Sequence, residues 1–197
     1  RGEFTENFIA DKLIPVFDQK NIHKNVKIYN LAKTEVVREI DVLVLYAGKA
    51  LIIEAKSKTL TKDSRKGCQS SLEKDFQFGI QAAYDQVKDC AEKLLDSKSY
   101  KFFDSNDTEL SIANNIQEQD INVMCILADE YSALPMHVSQ YLKYDNKYPP
   151  YIVDIFILDL IVTFLNTPLY FLHFIYYRTQ YFQKITSFSM SEFDILS

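Results

Sequence analysis

Residues 39–56 read Glu39-Ile40-Asp41-Val42-Leu43-Val44-Leu45-Tyr46-Ala47-Gly48-Lys49-Ala50-Leu51-Ile52-Ile53-Glu54-Ala55-Lys56. Two runs rich in Val, Ile and Leu flank Ala47-Gly48, the pattern of a β-hairpin closed by a tight turn. With a two-residue turn, Tyr46 faces Lys49 and the pairing carries on until Asp41 stands directly opposite Glu54. Their β-carbons then lie about 5 Å apart on one face. Alternation puts Lys56 on the same face as Glu54 and turns Ala55 the other way, leaving the Ala55 carbonyl as a candidate ligand.

Two carboxylates opposed at that distance in an apolar strand repel, so a cation between them is expected. Hard oxygen ligands, few in number and leaving room for water and a phosphate, suit Mg²⁺ or Mn²⁺ better than zinc. From spacing alone, a second reading stands equally well. The acidic groups are then solvated charges at strand ends, and Lys56 pairs with Glu39, which the same register places opposite it.

Outward from the hairpin, Phe8, Ile9, Leu13 and Val16 recur at helical spacing, predicting a helix over 6–17 with Thr5 as its cap. Strands are expected over 26–31, 36–46 and 50–57. Ile80, Ala83, Tyr84, Val87, Cys90, Ala91, Leu94 and Leu95 form one stripe, predicting a long helix over 76–95 packed on the sheet, with Tyr84 in the core. Residues 96–120 are polar and acidic and read as a loop or insertion. The apolar run 121–128 reads as a strand covered on both faces, and the order strand, long helix, strand implies a crossover to a parallel neighbour. A fifth strand over 151–158 and helices over 159–165 and 168–184 complete the reading. The fold class is α/β, a mixed central sheet with flanking helices and a C-terminal helical segment.

Asp41 followed by Glu54-Ala55-Lys56 resembles the signature of the PD-(D/E)XK, or restriction-endonuclease-like, nuclease superfamily. The order of elements resembles it too: a helix carrying an acid, an antiparallel hairpin carrying the motif, a crossover helix and a further strand. The likeness spans residues 1–130 as a nuclease-like core, with 131–197 completing or extending the same domain. It implies Asp41, Glu54 and the Ala55 carbonyl as ligands of Mg²⁺ or Mn²⁺, and Lys56 as the residue acting on water or the transition state. Glu6 matches the first-helix acid, with Glu3 as the fallback. Gln86 resembles the glutamine of the crossover helix, and Gln81 competes for that role. This sequence has Ile40 where the signature has Pro.

The function so implied is metal-dependent hydrolysis of phosphodiester bonds, with DNA placed ahead of RNA as the substrate. Two alternatives use the same fold: a non-catalytic nucleic-acid-binding or protein-interaction module, with the aromatic segment from Tyr148 onward as its interface, and an RNase or effector toxin. The chain carries 22 basic against 27 acidic side chains, a net charge of -5. An acidic protein of this kind is no polycation, so any nucleic-acid contact must be local. The stretch after the hairpin supplies such a patch: Lys58, Lys62, Arg65 and Lys66 join Lys49 and Lys56 against only Glu54 and Asp63.

Cys68, Cys90 and Cys125 are scattered and odd in number, as are His23, His137 and His173, which argues against a disulfide framework or a zinc site. A reducing, cytoplasmic setting is expected. The apolar stretch 152–177 is interrupted by Asp154, Asp159, Asn166, Pro168 and His173, so no membrane span is expected. The chain starts at Arg1 rather than Met and is expected to be part of a longer chain or complex.

Overall fold

A computed structural model of the chain describes residues 2–57, 61–113, 115–129, 138 and 140–182. Its strands are β1 (Ile22–Asn30), β2 (Val36–Tyr46), β3 (Lys49–Lys56), β4 (Tyr100–Phe103), β5 (Ile121–Leu127) and β6 (Pro150–Asp154). They form one mixed sheet in the order β4-β1-β2-β3-β5-β6. The helices are α1 (Gly2–Phe17), the short α2 (Lys62–Arg65), α3 (Gln69–Phe76), α4 (Ala82–Leu95), α5 (Ile155–Phe164) and α6 (Pro168–Phe182).

The hairpin has the register its sequence implies. Tyr46 pairs with Lys49, and the ladder runs unbroken to Val42 opposite Ile53. Ala47 and Gly48 both take positive φ, 49° and 79°, the geometry of a type I′ turn whose twist matches that of the flanking strands. β3 then pairs in parallel with β5 across the crossover that α4 supplies, and β5 pairs in parallel with β6.

Each face of the sheet is covered. Ile9, Leu13 and Phe17 of α1 pack with Leu158 and Ile161 of α5, Phe171 and Ile175 of α6, and Val42, Val44, Leu51 and Ile53 of the hairpin. On the other face Val87, Cys90 and Leu94 of α4 lie on Leu43, Ile52, Val123 and Cys125. Burial of these apolar side chains, at about 25 cal/mol per Å², is what holds the layers together. The last strand and the last two helices thus share the sheet and the core of the first five strands.

Several boundaries differ from the sequence reading. α1 begins at Gly2, so Thr5 is a buried residue within it and not its cap. The helical course before α4 starts earlier, at Gln69, and passes through a π-turn over Gln77–Gln81. The polar stretch 96–120 contains β4, which adds to the free edge of β1 because Phe102 buries itself under α4. The predicted strand over 151–158 stops at Asp154: its side chain accepts from the amides of Phe156 and Ile157, at 3.0 and 2.9 Å, and starts α5. An apolar run with β-branched residues does not by itself separate strand from helix, and the capping carboxylate decides it. α6 is described to Phe182, so the end of the helix expected over 168–184 lies outside the described residues.

Among the described residues no helix is long and apolar enough to cross a membrane. The three cysteines are free thiols, Cys90 and Cys125 buried and Cys68 exposed.

Candidate functional site

The β2–β3 ladder ends one step before Asp41 and Glu54 would pair. Beyond that point a side chain takes over from the backbone: Asp41 Oδ2 accepts the Ala55 amide at 2.7 Å. Glu54, only 3% exposed, follows the alternation of β3 and lies on the α4 side with Ala50 and Ile52. Ala55 packs toward the α1 side, as its place in the strand requires. Lys56 reaches back to Glu54, Nζ to Oε1 at 2.5 Å. The lysine therefore pairs within the motif and not with Glu39, the partner of the solvated-charge reading.

The carboxyl groups are under electrostatic load. Burial, followed by the charge of Asp41, pushes the Glu54 carboxyl up to about 8. Burial also raises Asp41, against the opposing pull of the Ala55 amide and the Lys56 ammonium. Asp41 and Glu54 lie close enough to perturb one another, and two close carboxyls in a poorly hydrated setting share protons when no cation stands between them. Glu6, from α1, is raised as well, first by burial and next by Asp41.

This donor set suits a small divalent cation. Asp41 and Glu54 offer hard oxygens whose protons a cation would displace, and Mg²⁺ is commonly held through one or two carboxylates with water filling the other positions. Among the described residues no three His, Cys, Asp or Glu side chains converge as a ligand group. Glu6 thus stands near Asp41 without closing a carboxylate triad.

The two glutamines are sharply distinguished. Gln81 is buried and spent on the backbone: Oε1 accepts from Lys143 N at 3.0 Å and Nε2 donates to Lys143 O at 2.8 Å. Tyr84 makes the matching contact one turn on, its hydroxyl accepting from Asp145 N at 2.7 Å. Both side chains thus clamp the segment 143–145 over α4. Gln86 is half-buried, its Nε2 donating to the Glu39 carbonyl at 3.4 Å, two residues before Asp41 on β2. Of the two acids of α1, Glu3 is exposed and Glu6 half-buried.

The loop after β3 brings Lys62 and Lys66 to the surface around α2. Lys58 and the side chain of Arg65 lie outside what the structure describes. Sequence reasoning did not single out Asp75, a buried carboxylate of α3 that ties this loop down, accepting from Thr61 N at 2.7 Å and Ser64 Oγ at 2.6 Å. An acid among polar neighbours gives no signal of that role.

Residues 1–112 match the NERD family, the nuclease-related domain. The chain belongs to the nuclease-related domain family. Members of this family have a PD-(D/E)XK-like nuclease fold, in keeping with the mixed sheet and its motif-bearing hairpin. The nuclease-related domain match takes in α1, the hairpin, α4 and β4 and ends before β5. No curated protein and no solved structure matches the chain.

Proposed function

We propose that this nuclease-related domain is a metal-dependent phosphodiesterase acting on DNA. The observation that carries the reading is the joint placement of Asp41, Glu54 and Lys56: two neighbouring carboxyls at the open end of the hairpin, with an ammonium 2.5 Å from one of them. Asp41 and Glu54 would hold Mg²⁺ or Mn²⁺, together with the Ala55 carbonyl. Such an ion polarises a phosphate and makes hydroxide available near neutral pH.

The remaining work belongs to the chain. Lys56 orients the attacking water and balances charge as it builds on the phosphate oxygens. Asp41 is held in place by the Ala55 amide, so its carboxylate needs little reorganisation on binding. Glu6 stands by Asp41 as a further acid for water or a second ion, and Gln86 positions the nucleophile or a phosphate from the Glu39 side. Lys62 and Lys66, with Lys58 and Arg65, meet the phosphate backbone as it leaves the site.

Incubation of the protein with plasmid, linear and single-stranded DNA and with RNA, each with Mg²⁺ or EDTA, tests this directly. DNA should be cut only with Mg²⁺. Binding without cleavage would favour the non-catalytic module, and cleavage confined to RNA would favour the RNase reading.

A further inference from the structure

Asn25 on β1 and Asp41 on β2 lie at one level of the sheet, between the pairs Lys24↔Val42 and Val26↔Ile40. Both strands turn over there. On β1, Ile22 belongs to the core under α1 and Lys24 reaches Asn7 of α1, Nζ to Oδ1 at 2.6 Å, yet Val26 and Ile28 belong to the core under α4. On β2, Val44 and Val42 lie under α1, whereas Ile40 lies under α4. Residues two apart on a regular strand share a face, so each strand reverses its facing at this level.

The irregularity lies on β1. Asn25 has φ of 50°, in the left-handed region that Asn tolerates and that β-branched residues, otherwise favoured in strands, strongly resist. A single residue of this conformation inside a ladder re-aims the side chains around it, and such irregularities recur beside functional sites. The beneficiary is Asp41. Its carboxyl meets the Ala55 amide of β3, with Glu54 on the α4 side and Glu6 of α1 on the other. A strictly alternating β2 would commit it to the α4 side alone, with Leu43.

We propose that Asn25 is a positioning residue for Asp41: its left-handed backbone turns β1 and β2 over, so that the Asp41 carboxylate is aimed between the strands at the Ala55 amide. This rests on the reading of Asp41 as a site residue, and it concerns where that carboxylate is held.

The test compares Asn25→Gly, which keeps the left-handed backbone, with Asn25→Val, which opposes it. Asn25→Ala carries the same comparison at lower cost if Asn25→Val does not fold. The amide proton shift of Ala55, read by NMR in the metal-free protein, reports the bond to Asp41, and Asp41→Ala supplies its position when the bond is lost. The shift should stay at its wild-type place in Asn25→Gly and move toward the Asp41→Ala place in Asn25→Val and Asn25→Ala. Cleavage should follow, near wild type in the glycine variant and down about a hundredfold in the valine variant, as for a misplaced site group. An unmoved Ala55 shift in Asn25→Val and Asn25→Ala, or a lost one in Asn25→Gly, would overturn the proposal. Absence of cleavage in the wild type would remove the nuclease reading, while the Ala55 shift would still decide where Asp41 is held.

Discussion

Lys56 closes on Glu54, two residues back on its own strand, with Nζ 2.5 Å from Oε1, while Glu54 itself is almost wholly buried. The contact gains from the low-dielectric setting of the buried carboxyl, but the desolvation of Glu54 offsets much of that gain, while the Lys56 ammonium keeps part of its hydration. The Glu54 carboxyl is accordingly raised in spite of its ammonium neighbour, because burial and Asp41 together outweigh it.

The metal-free protein should lose stability as pH rises. Glu54 holds its proton in the fold up to about 8 but releases it near 4.5 when unfolded, so the unfolded chain sheds the proton first. Its contribution is fully present below about 4.5 and falls away until the folded carboxyl titrates near 8. Asp41 and Glu6, also raised, act in the same direction. Melting temperature measured in EDTA from pH 5 to pH 9 should decline, and Glu54→Gln should flatten the decline.

Divalent cations should reverse that burden. Mn²⁺ or Mg²⁺ should raise the wild-type melting temperature by mass action, increasingly so at higher pH where the protons are easier to displace. Asp41→Asn should melt higher than wild type in EDTA, since carboxylate repulsion is relieved, and should lose most of the metal-induced shift. Equal shifts in both proteins would count against these ligands.

Gln81 and Gln86 should separate by assay. Gln81→Ala leaves the N–H and C=O of Lys143 without their side-chain partner and should cost about 2 kcal/mol in chemical denaturation. Gln86→Ala removes one long contact from a half-buried side chain and should leave stability nearly unchanged while slowing cleavage.

The hairpin was legible because a two-residue turn fixes register over the whole ladder, and a shift of one residue would expose its apolar face. The parallel β3–β5 pair was legible from the crossover helix between two apolar runs. β4 escaped because Tyr100-Lys101-Phe102-Phe103 is too short to show a period inside a polar stretch. The start of β1 is hidden for a more telling reason: His23, Lys24 and Asn25 interrupt the apolar pattern, while the strand itself continues back to Ile22 through a left-handed residue. That same residue lies level with Asp41, and alternation alone could place the Asp41 carboxyl on one face only. The roles of Gln81 and Gln86 depend on what the segment 143–145 does, and pairing across 62 residues leaves no local pattern.

Lys62→Ala and Lys66→Ala should weaken DNA binding at every sequence alike. The slope of log affinity against log salt should fall by about one for each phosphate contact removed. Cleavage by saturating enzyme in a single turnover should remain near wild type, which would assign these lysines to binding and not to chemistry.

The hairpin end should perform metal-dependent hydrolysis with Lys56 in the chemistry. The most direct test is single-turnover plasmid cleavage by wild type and Lys56→Ala, each with Mg²⁺ and with EDTA. Wild type should cut only with Mg²⁺, and Lys56→Ala should be slower by at least about a hundredfold, the scale for losing a positioned acid-base or electrostatic group, while retaining DNA binding. Equal rates for the two proteins, or no Mg²⁺-dependent cleavage by wild type, would contradict it.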